Sequence, residues 1–326
     1  MEHTGFEHLK IAAIGGGHGL STMLRGLKDY TPHITAVVTV ADDGGGSGVL
    51  REDLGMLPPG DIRDCIMALA NTEPTMRELL NYRFCDGSLS GQSFGNLFLA
   101  AMNGISASFD EAVQRMGEVL AITGRVLPVT NSNIHLEAEF DNGCRTLGES
   151  KIFYAKKIHN CRIRQVRLVP DHPPALPDSL AAIREADLIL IGPGSLYTSI
   201  IPNFLVDGVA EAVAQSRAPK IYILNIMTQD GETDGYSGAD HLQALLSHAP
   251  GTVDACIANC GEIPESVMAP YRQEGVEPIR ADRAAFEALG VQMEEYPLVS
   301  ADRYIRHNPA KLAAAIMDTY QKLVGR

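Results

Sequence analysis

Short apolar segments alternate with amphipathic stretches along most of the chain. Residues 9–14 and 34–40 are almost wholly apolar or β-branched, which is typical of strands covered on both faces of a sheet. Further strand candidates are residues 186–191, 220–226 and 253–259, with weaker ones at 276–280 and 291–297. Helical periodicity predicts helices at 20–30, 204–216, 240–248, 264–275 and 308–324. The alternation predicts an α/β fold with a doubly wound, mostly parallel sheet.

Two segments interrupt this alternation. From about residue 60 to 121, helical patterns follow one another, which predicts a helical insert. Residues 124–170 are β-rich, with strand candidates at 125–130, 134–140 and 144–153. The turn Asp141-Asn142-Gly143 joins the last two candidates, and Asn-Gly between alternating runs is a strong hairpin signal. We therefore expect a single domain over residues 1–326, with a small β-rich subdomain inserted at 124–170.

Composition narrows the class of protein. The chain has 326 residues, of which 45% are hydrophobic and 21% charged, as in ordinary globular proteins. A formal net charge of −13 argues against nucleic acid and anionic membranes as partners, although a local group of N–H donors can still bind a small phosphorylated ligand. The six cysteines form no CxxC pair, and no apolar run reaches the ~20 residues of a membrane helix. We expect a cytoplasmic protein with reduced cysteines and no membrane span.

A glycine-rich turn at the end of the first predicted strand is the first candidate for ligand binding. Residues 11–20 read IAAIGGGHGL, so that Gly16, Gly17 and Gly19 lead into a helix. A strand, a glycine turn and a helix in this order bring free N–H groups to a helix N-terminus, where a phosphate can bind. Leu20 stands at the third position of the G-x-G-x-x-G fingerprint, and no Gly-Lys-Ser/Thr follows. The sequence predicts a phosphate turn that is neither a standard dinucleotide fingerprint nor a Walker loop.

Two aspartates and a second glycine run follow the second predicted strand. Asp42 and Asp43 precede residues 44–48, GGGSG, which contain Gly45 and Ser47. An acidic residue ~20 positions after a phosphate turn binds ribose hydroxyls in dinucleotide folds. Two unit charges about 4 Å apart repel by about 4 kcal/mol at an effective dielectric of about 20, so these carboxylates should not face the phosphate that the glycines bind. Either they face sugar hydroxyls, or a Mg²⁺ ion lies between and reverses the sign.

Polar residues also follow the later predicted strands. Gly194 and Ser195 form a turn after residues 186–191, and Asn225 and Asn259 end the next two strands. Ligands of open α/β sheets bind beyond the carboxyl ends of the strands. We therefore expect these residues to belong to one composite site.

Three further residues are weaker candidates. Asn96, at a Gly-Asn-Leu helix start, is either a ligand contact or a helix cap. Tyr271 and the run 304–307, which contains Arg306, are candidates for base stacking and pyrophosphate contact. The histidines show no metal-ligand spacing such as HExxH, so no zinc site is predicted.

With these motifs in order, the sequence resembles the YvcK-like gluconeogenesis factor family (UPF0052), which is related to CofD, a 2-phospho-L-lactate transferase. The similar segments include VTVADDGGGSGVLR, ADLILIGPGSLYTSIIPNFLV and NIMTQDGETDGYSGADH, and all of them together span residues 11 to 315. The resemblance implies a Rossmann-like fold and a nucleotide-sugar ligand, UDP-N-acetylglucosamine in particular. It also implies a role in growth on gluconeogenic carbon sources and in cell shape, by sensing rather than by catalysis, through an unidentified protein partner.

The same resemblance implies residues of the binding site. The phosphate turn falls on Gly16, Gly17, Gly19 and Leu20, and the acidic loop falls on Asp42 and Asp43. The second turn falls on Gly194 and Ser195, and the uridine-diphosphate contacts fall on Asn225, Tyr271 and Arg306. The sequence departs from the family pattern at His18, Gly46 and Asp64, where Thr, Ser and Asn are expected. The first two changes remove possible phosphate donors, and the third adds a carboxylate that favours a metal.

Two alternative functions stay open at this point. A Mg²⁺-dependent CofD-type transferase would hold the metal with Asp42 or Asp43 and move 2-phospho-L-lactate from a nucleotide diphosphate to a deazaflavin. An NAD(P)-dependent oxidoreductase fits less well because the glycine spacing misses the fingerprint, although adventitious NAD binding is compatible with such a site. Proteins of this fold often form dimers, so a homodimer is a further expectation.

Overall fold

A seven-stranded sheet forms the centre of this computed structural model, which describes residues 5–159, 161–301 and 304–325, without the side chains at 156, 157, 159 and 301. The strands are β1 (Ile11–Gly15), β2 (Ile34–Val38), β3 (Arg125–Pro128), β4 (His135–Phe140), β5 (Arg145–Leu147), β6 (Ile163–Val169), β7 (Leu188–Ile191), β8 (Lys220–Ile223), β9 (Ala255–Asn259), β10 (Gln292–Tyr296), β11 (Val299–Ala301) and β12 (Ile305–His307). The central sheet has the order β10-β9-β8-β7-β1-β2-β3, with all neighbours parallel. Two small antiparallel sheets, β5-β4-β6 and β11-β12, lie outside it.

Helices connect the strands of the central sheet. They are α1 (Gly17–Leu27), α2 (Gly45–Leu54), α3 (Gly60–Leu69), α4 (Pro74–Asn81), α5 (Phe94–Gly104), α6 (Phe109–Val119), α7 (Glu149–His159), α8 (Pro177–Glu185), α9 (Ile201–Phe204), α10 (Val209–Gln215), α11 (Gly238–His248), α12 (Glu265–Gln273), α13 (Arg283–Ala288) and α14 (Pro309–Val324). A 3₁₀ turn occupies Gly87–Leu89, and a π-helical turn at Leu196–Ile200 runs directly into α9. In the described residues, no helix is both long and apolar enough to cross a membrane.

The central strands are apolar because helices cover the sheet on both faces. Every residue of β1 and β7 is buried. From β1 to β3 the chain crosses the sheet in one direction, and from β7 to β10 it crosses in the opposite direction. Because the crossovers between parallel strands are right-handed, the helices of the two halves lie on opposite faces of the sheet. α1 packs between α3 and α14. A side chain at Gly26 would overlap the Pro309 carbonyl, so a glycine permits the close approach of α1 to α14.

The structure confirms the α/β, Rossmann-like fold, the five main strands and the run of helices between residues 60 and 121. Residues 291–297 contain β10, as predicted, whereas the prediction for 276–280 is wrong. In that described segment only Pro278 forms a bridge, to Met227, and the bridge is isolated. The predicted strand at 125–130 exists, but it pairs with β2 at the edge of the central sheet. The small antiparallel sheet therefore starts at His135.

One strand prediction is wrong for an identifiable reason, and a glycine-rich segment is helical. The strand predicted at 144–153 ends at Leu147 because Gly148 turns the backbone at φ +108° and α7 begins at Glu149. The glycine run 44–48 forms the first turn of α2, with Gly44 as its cap. All six cysteines are free.

Candidate functional site

The two glycine turns meet where the strand order of the sheet reverses. β1 lies between β7 and β2, so the chain leaves β1 and β7 toward opposite sides of the sheet. A methyl group at Gly19 would overlap the carbonyl of Pro193 and lie 2.9 Å from Gly194 N, so only glycine permits the two turns to approach this closely. In open α/β sheets, the ligand usually binds at this switch point.

A cleft of about 220 Å³ opens between the two turns, and we call it the switch-point cleft. It brings together five of the residues predicted to form one site, namely Gly19, Gly194, Ser195, Asn225 and Arg306. Its other polar lining residues are His18, Thr22, Gln229 and His307. Backbone N–H groups, hydroxyls and a guanidinium around one concave space are the groups that bind a small anion.

Two further cavities adjoin this cleft, one on each side. The acidic pocket, of about 200 Å³, shares Gln229 with the cleft and is lined by Asp42, Gly44, Glu149, Ser150, Ile152, Phe153, Thr198 and Gln229–Glu232. The outer cavity, of about 720 Å³, shares Ile226 with the cleft and is lined by residues of β9, α12 and the segment 275–280. Asn259 and Met268 belong to this lining. The three spaces follow the carboxyl edge of the sheet from β2 to β9.

Two helix N-termini at this edge already bind a carboxylate of the chain itself. Asp61 accepts a hydrogen bond from the N–H of Gly17 at the start of α1, and a methyl group at Gly16 would overlap the same carboxylate. Glu232 Oε1 accepts hydrogen bonds from Tyr197 N at 2.6 Å and Thr198 N at 3.1 Å, at the start of the π-helical turn. In this structure these N–H groups are therefore not open to a phosphate.

The predicted aspartate pair divides between two different elements. Asp42 lines the acidic pocket, and its Oδ1 accepts a hydrogen bond from Gly44 N at 2.8 Å while Ser47 donates to the same carboxylate. Asp43 Oδ1 accepts a hydrogen bond from Ser150 N at 2.8 Å and so caps α7. The two neighbouring carboxylates therefore hold different elements, Asp42 the start of α2 and Asp43 the start of α7.

Carboxyl groups are concentrated beside the acidic pocket. Burial raises the pKa of Asp61 to about 7, and the nearby Asp42 and Asp64 add to this effect. Burial also raises the pKa of Asp42, and it raises the pKa of Glu149 well above its ordinary value, with Asp42 and Asp61 contributing. Near neutral pH the group therefore carries less negative charge than its number of carboxyl groups implies. Protonated carboxyl groups donate as well as accept hydrogen bonds, which matches sugar hydroxyls.

Two asparagines predicted as ligand contacts hold the backbone of neighbouring turns. Asn225 accepts a hydrogen bond from Gly194 N at 3.1 Å and donates one to Gly194 O at 2.7 Å, so both ends of its amide hold the second turn. Asn259 accepts hydrogen bonds from Gly261 N at 3.0 Å and Leu298 N at 2.9 Å. Both side chains lie at the predicted edge of the sheet, where Asn225 lines the switch-point cleft and Asn259 lines the outer cavity.

Arg306 supplies the permanent positive charge of the switch-point cleft. It is exposed, and its guanidinium lies 5.1 Å from the centroid of the Tyr304 ring. The hydroxyl of Tyr271 accepts a hydrogen bond from Ile305 N at 2.9 Å. Tyr271 lies outside the three cavities and therefore supports β12, the strand that carries Arg306.

Four other predicted residues lie outside these cavities. Leu20 is fully buried in α1, and Ser47 and Asn96 are buried in α2 and α5. Gly45 begins α2, whose first helical hydrogen bond is donated by Gly48. The N–H groups before Gly48 have no partner within the helix, so this N-terminus can bind an anion.

Sequence reasoning missed most of the acidic groups. Asp61 had only the residue type of a helix cap, and nothing in its neighbours indicated that it reaches the turn after β1. Glu149 lay in a segment predicted as a strand, and Glu232 lay in a loop after β8. These three acidic residues share one sequence feature, which is that each follows a strand or stands at the start of a helix. That feature does not distinguish a buried carboxylate from a solvated one.

Comparison with known proteins agrees with this fold. Residues 11–299 match a family model described as 2-phospho-L-lactate transferase CofD. A relative from Thermoanaerobacterium thermosulfurigenes is 55% identical over 309 residues, which cover 94% of this chain and 96% of the relative. The gluconeogenesis factor of Bacillus subtilis is 45% identical over 312 residues, which cover 95% of this chain and 97% of that protein. A crystal structure of a UPF0052 family member from Bacillus halodurans has a TM-score of 0.91 at 45% identity, covering 95% of this chain and 99% of that chain.

Proposed function

Because this chain belongs to the gluconeogenesis factor family (UPF0052), which falls within the CofD family model, we propose that it is a regulatory protein that binds a nucleotide sugar related to UDP-N-acetylglucosamine. The name of its relatives supports a role in growth on gluconeogenic carbon sources. Control of cell shape, through a protein partner that senses the bound state, belongs to the same proposal.

One observation carries the proposal, namely the series of three adjoining cavities with different polarity. The switch-point cleft offers a diphosphate the Arg306 guanidinium and the first turn of α1 at Gly19, whose N–H has no acceptor within the helix. The acidic pocket offers carboxyl groups and the Thr198 hydroxyl to a hexose. The outer cavity offers Ile226 and Met268 to the apolar faces of a nucleoside. A nucleotide sugar has the matching arrangement, because its diphosphate lies between the hexose and the nucleoside, as the switch-point cleft lies between the other two cavities.

Charge supports the same orientation of the ligand. A phosphate about 4 Å from one ionised carboxylate is repelled by about 4 kcal/mol at an effective dielectric of about 20, which exceeds a charge-assisted hydrogen bond of about 1.5–3 kcal/mol. The diphosphate therefore belongs beside Arg306, and the hexose belongs beside Asp42 and Glu149.

Thermal unfolding with UDP-N-acetylglucosamine, GDP and NAD, each with and without Mg²⁺, tests the proposal. A ligand at a hundredfold excess over its dissociation constant stabilises the folded state by about 2.7 kcal/mol. We expect a raised unfolding temperature with the UDP-sugar. The absence of a shift with every UDP-sugar would exclude this function.

A CofD-type phospholactate transferase is the second candidate. Two observations support it, the match to the CofD model over residues 11–299 and the carboxyl groups of Asp42 and Asp61 beside the glycine turns. When bound, a Mg²⁺ ion would neutralise charge on a nucleotide diphosphate. A thermal shift with GDP that requires Mg²⁺, and no shift with UDP-sugars, would favour the transferase over the regulator.

A further inference from the structure

One buried side chain of the switch-point cleft lacks a hydrogen-bond partner. His307, the last residue of β12, is 8% exposed and lines the cleft. Its Nε2 has no partner within the described part of the chain. A buried acceptor without a partner destabilises a protein unless a water molecule or a ligand satisfies it. His307 is therefore an unsatisfied polar group in the wall of this cleft.

The other ring nitrogen determines which role His307 can take. His307 makes a hydrogen bond with the backbone of Leu224, and because Nε2 is free, this bond belongs to Nδ1. Nδ1 donates to the Leu224 carbonyl, so in the neutral ring Nε2 is an acceptor. Burial lowers the pKa of His307 to about 4, and the ring is neutral at pH 7. The other titratable side chains that line the cleft are His18 and Arg306.

The position of His307 in the cleft indicates which part of the nucleotide would lie beside it. Leu224 follows β8, and Ile226, two residues further on, is where the switch-point cleft adjoins the outer cavity. If the diphosphate occupies the cleft and the base the outer cavity, the ribose lies at this junction. Ribose hydroxyls are hydrogen-bond donors, whereas phosphate oxygens at neutral pH are acceptors and cannot satisfy Nε2.

We propose that His307 Nε2 accepts a hydrogen bond from a ribose hydroxyl of the bound nucleotide and makes the site selective for ribonucleotides over deoxyribonucleotides. This inference rests on the proposed nucleotide-sugar function. His307 acts here as a specificity-determining residue, and no chemistry on the nucleotide is implied.

Isothermal titration with UDP, 2′-deoxy-UDP and 3′-deoxy-UDP tests the proposal on the wild-type protein and on His307→Phe. A neutral hydrogen bond is worth about 0.5–1.5 kcal/mol, which corresponds to a preference of roughly two- to tenfold. The wild type should prefer UDP over one of the deoxy analogues by this factor. His307→Phe should bind UDP more weakly and bind that analogue unchanged, so that the preference disappears.

The possible outcomes distinguish an error in the role of His307 from an error in the proposed function. Equal binding of all three nucleotides by the wild type, or a preference that persists in His307→Phe, overturns the role of His307. If the wild type binds neither UDP nor UDP-N-acetylglucosamine, the proposed function itself is overturned. The thermal unfolding of His307→Phe without ligand shows whether loss of the Leu224 bond alone has damaged the fold.

A spectroscopic measurement on the wild type needs no variant. Long-range ¹H–¹⁵N spectra at pH 7 should show a neutral His307 ring with the proton on Nδ1, both without and with UDP. Addition of UDP should change the ¹⁵N shift of Nε2 as it gains a hydrogen bond. Conversion of the ring to imidazolium on binding would contradict the proposal, because imidazolium donates from both nitrogens.

Discussion

The substitution Asp61→Asn should make the protein more stable at alkaline pH. The carboxylate of Asp61 accepts the Gly17 N–H, and burial together with Asp42 and Asp64 raises its pKa from 3.8 to about 7. A carboxyl group with a raised folded pKa binds its proton more tightly when folded. Stability is therefore lost as the pH rises from about 4 to about 7, and no more is lost above that range.

The expected size of the effect follows from the same pKa values. One pKa unit corresponds to about 1.4 kcal/mol, so the raised pKa of Asp61 lowers the free energy of unfolding, relative to a side chain that does not titrate, by about 4 kcal/mol at pH 8 and by about 1.5 kcal/mol at pH 5. The amide introduced by Asp61→Asn would keep an acceptor for the Gly17 N–H and has no proton to lose. The stability difference between Asp61→Asn and the wild type should therefore grow by about 2–3 kcal/mol from pH 5 to pH 8.

Urea denaturation followed by circular dichroism at pH 5, 6, 7 and 8 measures this difference. Asp53→Asn is the matched control, because Asp53 is an exposed aspartate on α2 and its replacement should give a difference that stays constant over this range. A difference for Asp61→Asn that is constant with pH, or that falls as the pH rises, would refute the reasoning about the carboxyl groups of this site.

Three further substitutions test the contacts around the site. Gly19→Ala should lower the free energy of unfolding by about 1–3 kcal/mol in urea denaturation, because the new methyl group meets backbone atoms, whereas Gly104→Ala should have little effect since nothing lies within 4 Å of it. Asp43→Ala should cost about 1 kcal/mol and speed amide exchange at Ser150, because it removes the cap of α7. Arg306→Ala should weaken UDP-N-acetylglucosamine about tenfold in isothermal titration without lowering the unfolding temperature of the free protein, because the side chain is exposed.

The fold and the grouping of several candidate site residues were predictable from the sequence because their signals are local. Apolar runs ending in glycine, aspartate or asparagine predicted the strands and placed Gly194 and Asn225 in one region, and the structure brings both to the switch-point cleft. Arg306 joins them there, although only the family resemblance had linked it to these residues. The strand at 125–130 was found for the same reason. Its membership in the central sheet was not found, because strand pairing depends on contacts between distant segments.

The roles of individual polar residues were harder to predict, because the same residue type can bind a ligand or the chain itself. Asp43 caps a helix more than 100 positions later, and Asn225 holds the backbone of Gly194. Both are long-range hydrogen bonds that no sequence pattern encodes. The start of α7 was missed because it depends on Gly148 and on that same Asp43 contact.

The position of the diphosphate in a crystal of the protein with UDP-N-acetylglucosamine tests the central claim most directly. We predict that the phosphates lie in the switch-point cleft, within hydrogen-bond distance of the Gly194 turn and the Arg306 guanidinium, with the hexose in the acidic pocket. Arg184→Ala, which alters an exposed arginine on α8, serves as the control for Arg306→Ala in the matching titrations. A diphosphate bound at the N-terminus of α2, with the switch-point cleft empty, would contradict the account.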